Sequence, residues 1–155
     1  MNVLLVEDED PKLAGVIHFL EEFHPEIHVA VARSVKSGLE SLKTALPHLL
    51  LLDMSLPTFD ITAIEPGGRP QGFGGIEVIR YLDSIDTTVP TIVVSGYEAF
   101  AKDGKNIELK ALASELMRDY PTIIRGVVYF NPLDGEWARD LERLLGECTT
   151  QRNCT

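Results

Sequence analysis

Four carboxylates stand in a row at Glu7, Asp8, Glu9 and Asp10, directly after the apolar run "NVLLV" of residues 2 to 6. Just beyond a strand, mutual repulsion would make such a run costly without a cation, so it implies a hard divalent ion held by oxygen ligands. Another acid, Asp53, closes the run "HLLLLD", where a buried strand would hold its carboxylate rigidly at a sheet edge. The run "TIVVS" ends in a hydroxyl, Ser95, and "VVYFNPL" delivers an amide, Asn131, directly before a proline. In α/β proteins the ligand sits past the carboxyl ends of the strands, so polar groups placed there point to one shared site. Glu9 and Asp10 have a plainer explanation, because acidic residues favour the first turn of a helix. For Asp53 the plainer alternative is a solvent-facing strand end, and its coincidence with Asp8 and Ser95 outweighs that.

The elements that must position these groups alternate along the chain. Apolar runs at residues 2 to 6, 27 to 32, 48 to 53, 91 to 95 and 123 to 130 predict strands. They are continuous rather than alternating, which suits strands covered on both faces. Between them Leu13, Val16, Ile17 and Leu20 recur at helical spacing, with Asp10 and Pro11 fitting an N-cap and a first-turn proline. Similar stripes follow at Val35, Leu39 and Leu42, at Ile76, Ile79 and Leu82, at Leu109, Leu112 and Leu116, and at Trp137, Leu141 and Leu144. The pattern predicts an α/β fold, a doubly wound five-stranded parallel sheet with helices on both faces. Two connections are long, residues 58 to 75 and 96 to 106, and both leave from strand carboxyl ends.

Length and composition bound the rest. A chain of 155 residues with 45% hydrophobic content suits one globular domain. A formal net charge of −10 and the lack of any basic cluster exclude direct nucleic-acid binding. The first ten residues fit neither a signal peptide nor a membrane span, so a cytoplasmic protein without membrane contact is expected. Cys148 and Cys154 lie in a polar stretch and predict a frayed tail over residues 148 to 155, after a domain of residues 1 to 147.

The runs "LLVEDE", "PHLLLLDMSLP", "GGIEVIRYL", "VPTIVVSG" and "NPL", in this order and at these strand ends, resemble the receiver domain of two-component response regulators. The resemblance spans nearly the whole chain and implies the flavodoxin-like receiver fold. It implies that Asp53 is the phosphoacceptor, that Asp8 is a direct Mg²⁺ ligand with Glu7 holding the ion through water, and that the Ser55 carbonyl completes the protein ligands. Ser95 would hydrogen-bond a phosphoryl oxygen. The physical logic fits: phosphoryl transfer asks for positioning and for neutralisation of equatorial oxygens, which Mg²⁺ supplies.

The sequence departs from that family at two positions. The residue before the proline is ordinarily a lysine that pairs with the phosphoacceptor, and here it is Asn131. A neutral amide makes a weaker bond than a charged donor, so slower phosphorylation or a weaker signal is expected. The family's switch aromatic falls on Val128, and strand alternation sends Tyr129 to the opposite face. Arg69, Lys102, Lys105 and Arg125 are the cations considered as replacements, with solvated loop charges as the plainer reading. The sequence therefore reads as a stand-alone phosphorelay receiver with no output domain attached, accepting phosphate from a histidine kinase or phosphotransfer protein and signalling by contact with an unknown downstream protein. The alternative is a pseudo-receiver, an interaction module without the phosphate switch. A phosphatase lacks its usual second carboxylate at Ser55, and no phosphate loop follows the first strand to suit a flavin binder.

Overall fold

The computed structural model describes residues 1 to 61, 73 to 102 and 104 to 152. In chain order they form β1 (Asn2–Val6), α1 (Asp10–Phe23), β2 (His28–Ala32), α2 (Val35–Thr44), β3 (Leu49–Leu52), α3 (Gly74–Ser84), β4 (Thr91–Ser95), β5 (Ala99–Lys102), β6 (Lys105–Glu108), α4 (Leu109–Asp119), β7 (Ile124–Tyr129) and α5 (Glu136–Arg152). Five strands make one parallel sheet in the order β2-β1-β3-β4-β7. The five predicted strands are these, each within a residue of its expected bounds.

Strand β3 shows why continuous apolar runs were needed. Leu49 and Leu51 enter the core under α1 and α5, while Leu50 and Leu52 enter the core under α2, α3 and α4. Successive side chains point to opposite faces, so a strand covered on both sides must be apolar throughout. Burying each such leucine contributes about 1.5–3 kcal/mol, enough to fix the strand and the acid that ends it. Helix α2 starts at a reciprocal cap, in which Ser34 accepts from the Ser37 backbone and the Ser37 hydroxyl accepts from the Ser34 N–H at 3.1 Å each.

Three expectations are corrected. The connection after Ser95 is an antiparallel β-hairpin, β5 paired with β6, with Gly104 at φ +76° in its turn. Phe100 of that hairpin is buried and its ring lies 5.5 Å from that of Phe73, which docks the insertion against the core beside α3 and α4. Of the expected frayed tail, residues 148 to 152 are helix, because α5 runs to Arg152 and Cys148 packs into the core under α1 and α5, while residues 153 to 155, with Cys154, lie outside the described residues. Asp10 is the first helical residue rather than the N-cap; Glu9 holds the cap position without a side-chain cap bond.

The long connection of residues 58 to 75 is partly outside the described residues, and Arg69 lies there. Its beginning runs along the start of α2, where Val35 and Lys36 donate to the carbonyls of Pro57 and Thr58 at 3.0 and 3.1 Å. Among the described residues no helix is long and apolar enough to cross a membrane.

Candidate functional site

The chain leaves β1 towards β2 on one side and reaches β3 on the other, so the strand order reverses at β1 and β3 and a crevice opens past their carboxyl ends. Glu7 and Asp53 are the first residues beyond those two strands. The Glu7 N–H donates to Ala32 at 2.9 Å and the Asp53 N–H to Val6 at 3.0 Å, which fixes both acids at the sheet edge. Both carboxylates are buried and Asp8 is half-buried. Oxygens of Glu7, Asp8 and Asp53 all lie within 4.8 Å of one another. A hollow of about 420 Å³, lined by Asp8, Asp10, Arg33, Asp60 and Ile61, opens beside the cluster, with Asp8 in both.

One cation sits inside this cluster. Lys12 rises from the buried face of α1 and is only 1% exposed. Its Nζ lies 2.8 Å from Glu7 Oε2 and 2.9 Å from Asp53 Oδ1, and donates to the Val94 carbonyl at 3.4 Å. Asp53 Oδ1 nevertheless receives no hydrogen bond of good angle, so its contact with Lys12 is coulombic more than directional. Glu7 Oε1 accepts from the Glu9 N–H at 2.9 Å. A buried oxygen left without a directional donor, among three hard carboxylates, fits a hard divalent cation beside the lysine.

The electrostatics follow from this crowding. Burial, then the charge of Asp53, push the Glu7 carboxyl up to about 7 against the pull of Lys12. Burial and Asp53 also raise Asp8. For Lys12 burial alone would lower the ammonium, but Asp53 and Glu7 outweigh it and hold it above the ordinary lysine value. An acid raised in the folded state stabilises the fold below its unfolded value and loses that contribution as pH rises through its folded value. Without divalent cations, wild type should therefore lose stability relative to Glu7→Gln between about pH 4.5 and about pH 7, and Mg²⁺ should reverse the loss at pH 8. Thermal melts of both proteins across that range, with chelator and with Mg²⁺, check this; a constant difference would count against it.

The other anticipated residues are placed as follows. Ser95 is fully buried at the end of β4, and its hydroxyl accepts from the Tyr97 N–H at 3.1 Å and donates to the Tyr97 carbonyl at 3.2 Å. To meet a ligand it must leave that turn. Ser55 is half-buried in the loop two residues past Asp53. Asn131 is turned into its own loop: Nδ2 donates to Asp134 Oδ2 and Oδ1 accepts from the Leu133 N–H, both at 3.0 Å. Both ends of the amide are thus used away from the carboxylates. Val128 is buried against α1 and α5, while Tyr129, opposite Ser95 in register, is exposed on the other face.

None of the cations considered from the sequence is brought to the acids among the described residues. Lys105 is exposed in the hairpin, and Arg125 sits at the amino-terminal end of β7, donating to the Thr122 carbonyl at 3.3 Å. Arg69 and the Lys102 side chain lie outside the described residues. Sequence reasoning missed Lys12 and Arg33. Arg33 donates to the Asp8 carbonyl at 2.7 Å and pairs with Asp10 at 2.5 Å, which ties the acidic segment to the end of β2. The signal for Lys12 was its position: it precedes Val16 by four residues and so belongs to the buried stripe of α1 with Val16, Phe19 and Leu20.

Comparison with known proteins matches residues 3 to 113 to the response regulator receiver domain. The chain is similar to the Detocs response regulatory protein DtcB of Enterobacter cloacae, at 26% identity over 95% of this chain and 99% of the relative. Among solved structures it is similar to a CheY-like receiver domain protein of Methanospirillum hungatei, with a TM-score of 0.65 and 19% identity over 99% of this chain and 98% of the other. It is also similar to NtrX of Brucella abortus, with a TM-score of 0.67 and 17% identity, covering 99% of this chain but only 29% of the NtrX chain.

Proposed function

Since the chain belongs to the response regulator receiver domain family of two-component signalling, we propose that it accepts a phosphoryl group on Asp53 and signals through contact with another protein. Receiver domains are signalling phosphoacceptors rather than classical enzymes. The observation that carries the reading is the buried cluster at the strand reversal, where Asp53 stands beside Glu7, Asp8 and a lysine. An Asp53 oxygen attacks the phosphorus of the donor, the new O–P bond forms, and the donor's bond to phosphorus breaks with its electron pair leaving on the donor. Glu7, Asp8 and Asp53, with the Ser55 carbonyl, would hold Mg²⁺, which when bound neutralises charge on the phosphoryl oxygens. The Ser95 hydroxyl would give up Tyr97 and donate to a phosphoryl oxygen, a short rotation that alters the start of the hairpin segment.

The donor under this reading is a histidine kinase or a phosphotransfer protein. A pseudo-receiver without the switch is not favoured, because the acid cluster is kept and a cation is buried within it. The test is intact mass spectrometry after incubation with acetyl phosphate and Mg²⁺. Wild type should gain one phosphoryl group and Asp53→Asn none. An adduct that survives in Asp53→Asn, or no adduct in wild type with Mg²⁺ present, would overturn the proposal.

A further inference from the structure

We propose that Lys12, on the first helix, is the cation that binds the phosphoryl group on Asp53, so that the charge absent at position 131 is supplied from helix α1 instead. The inference rests on Asp53 being the phosphoacceptor.

A buried ammonium has three N–H donors and must find acceptors for them. Lys12 donates to the Val94 carbonyl at 3.4 Å and otherwise stands in ion-pair contact with Glu7 and Asp53, at 2.8 and 2.9 Å. Its longest contact is also its weakest, so one donor is easily released. The contact to Asp53 Oδ1 holds the carboxylate in one orientation and leaves the other oxygen to attack phosphorus. When the phosphoryl group arrives, negative charge passes from the carboxylate to the phosphoryl oxygens. A poorly aligned, coulombic partner can follow that charge by a small rotation of its stem.

The surroundings fit this placement. A side chain at residue 96 would come within 4.0 Å of the Lys12 Cδ and Nζ, and Gly96 leaves the end of β4 open there. One turn further along α1 is Gly15, where a Cβ would meet the Phe130 ring at 3.0 Å. Helix α1 therefore lies close against the end of β7, in the register that points Lys12 at the acids. Phe130 itself is buried and packs on Trp137 at 4.8 Å. Asn131, the next residue, is committed to Asp134 and Leu133.

The test compares rates of adduct formation from acetyl phosphate and Mg²⁺ in wild type, Lys12→Met, Asn131→Lys and the double variant, with folding checked by circular dichroism. Lys12→Met should slow the reaction about 100-fold, as loss of one preorganised electrostatic contact does. Adding Asn131→Lys to that background should recover at least about a tenth of the lost rate, which a purely structural role for Lys12 would not give. Asn131→Lys alone, a change in an exposed loop that folding should tolerate, should alter the rate by less than about threefold, since the site already holds its cation. A wild-type rate in Lys12→Met, or a gain of about tenfold or more from Asn131→Lys alone, would overturn the assignment to Lys12 while leaving Asp53 as phosphoacceptor. If Lys12→Met fails to fold, Asn131→Lys alone still decides. No adduct in wild type would remove both proposals together.

Discussion

Lys12→Met should lower the stability of the protein without divalent cations by about 3–5 kcal/mol at pH 8, the cost of leaving buried charge uncompensated. Methionine keeps most of the unbranched stem, so the loss does not come from a cavity. It comes from Glu7 and Asp53, both nearly inaccessible to solvent and with that ammonium between them. At pH 6 the loss should be smaller, because Glu7, pushed up to about 7, takes a proton and its repulsion with Asp53 is removed. Asp53→Asn in the Lys12→Met background should recover most of the stability, since one of the two facing charges is gone. Mg²⁺ should do the same by occupying the carboxylates directly. Urea unfolding at both pH values, with chelator and with Mg²⁺, measures each of these. A loss under about 1 kcal/mol at pH 8 would mean that water reaches the cluster and screens it.

The same cluster shows what a sequence can and cannot reveal about such a site. Strand ends were legible because a run such as "LLLLD" has only one sensible arrangement in a sheet covered on both faces: the leucines go to the two cores and the acid to the edge. Glu7 and Asp8 followed from the same logic at β1. The lysine was not found because a replacement was sought on the loops that could fold over the pocket, at Arg69, Lys102 and Lys105, and at Arg125 opening the fifth predicted strand. A lysine on a helix reads as solvated by default, and only its register with Val16 and Leu20 shows that this one faces inward. The hairpin at residues 99 to 108 was missed for a simpler reason. The sequence carries Asp103-Gly104, a strong short-range hairpin signal, but the neighbouring "EAFA" and "KNIE" are too short and too mixed to register as strands. Asn131 was placed correctly at the end of β7, yet a strand-end position does not dictate where an amide points. The nearby Asp134 and the Leu133 N–H offered it local partners, a frequent outcome for Asn in a turn.

The acid on β3 is also held from behind, by α3, which predicts a large effect at a residue with no charge. Gly75→Ala should destabilise the protein by about 3 kcal/mol and slow phosphorylation of whatever folds. A Cβ at Gly75 would lie 2.4 Å from the Asp53 carbonyl oxygen and 2.9 Å from the Met54 Cα, both backbone atoms that cannot swing aside. The Gly75 N–H donates to the Met54 carbonyl at 3.0 Å, so the helix start and the phosphoacceptor segment are joined where the methyl group would intrude. Either α3 retreats, opening the core around Val78 and Ile79, or residues 53 and 54 shift and carry the Asp53 carboxylate away from Lys12. Gly146→Ala supplies the contrast. Gly146 lies inside α5 with nothing within 4 Å of an added Cβ, so alanine there should stabilise by about 0.5–1 kcal/mol through helix propensity alone. Opposite signs at the two glycines, read by thermal and urea unfolding, would separate a steric contact at the site from the general effect of adding a methyl group. Equal, small effects would mean that the segment bearing Asp53 has more freedom than its contacts with α3 imply.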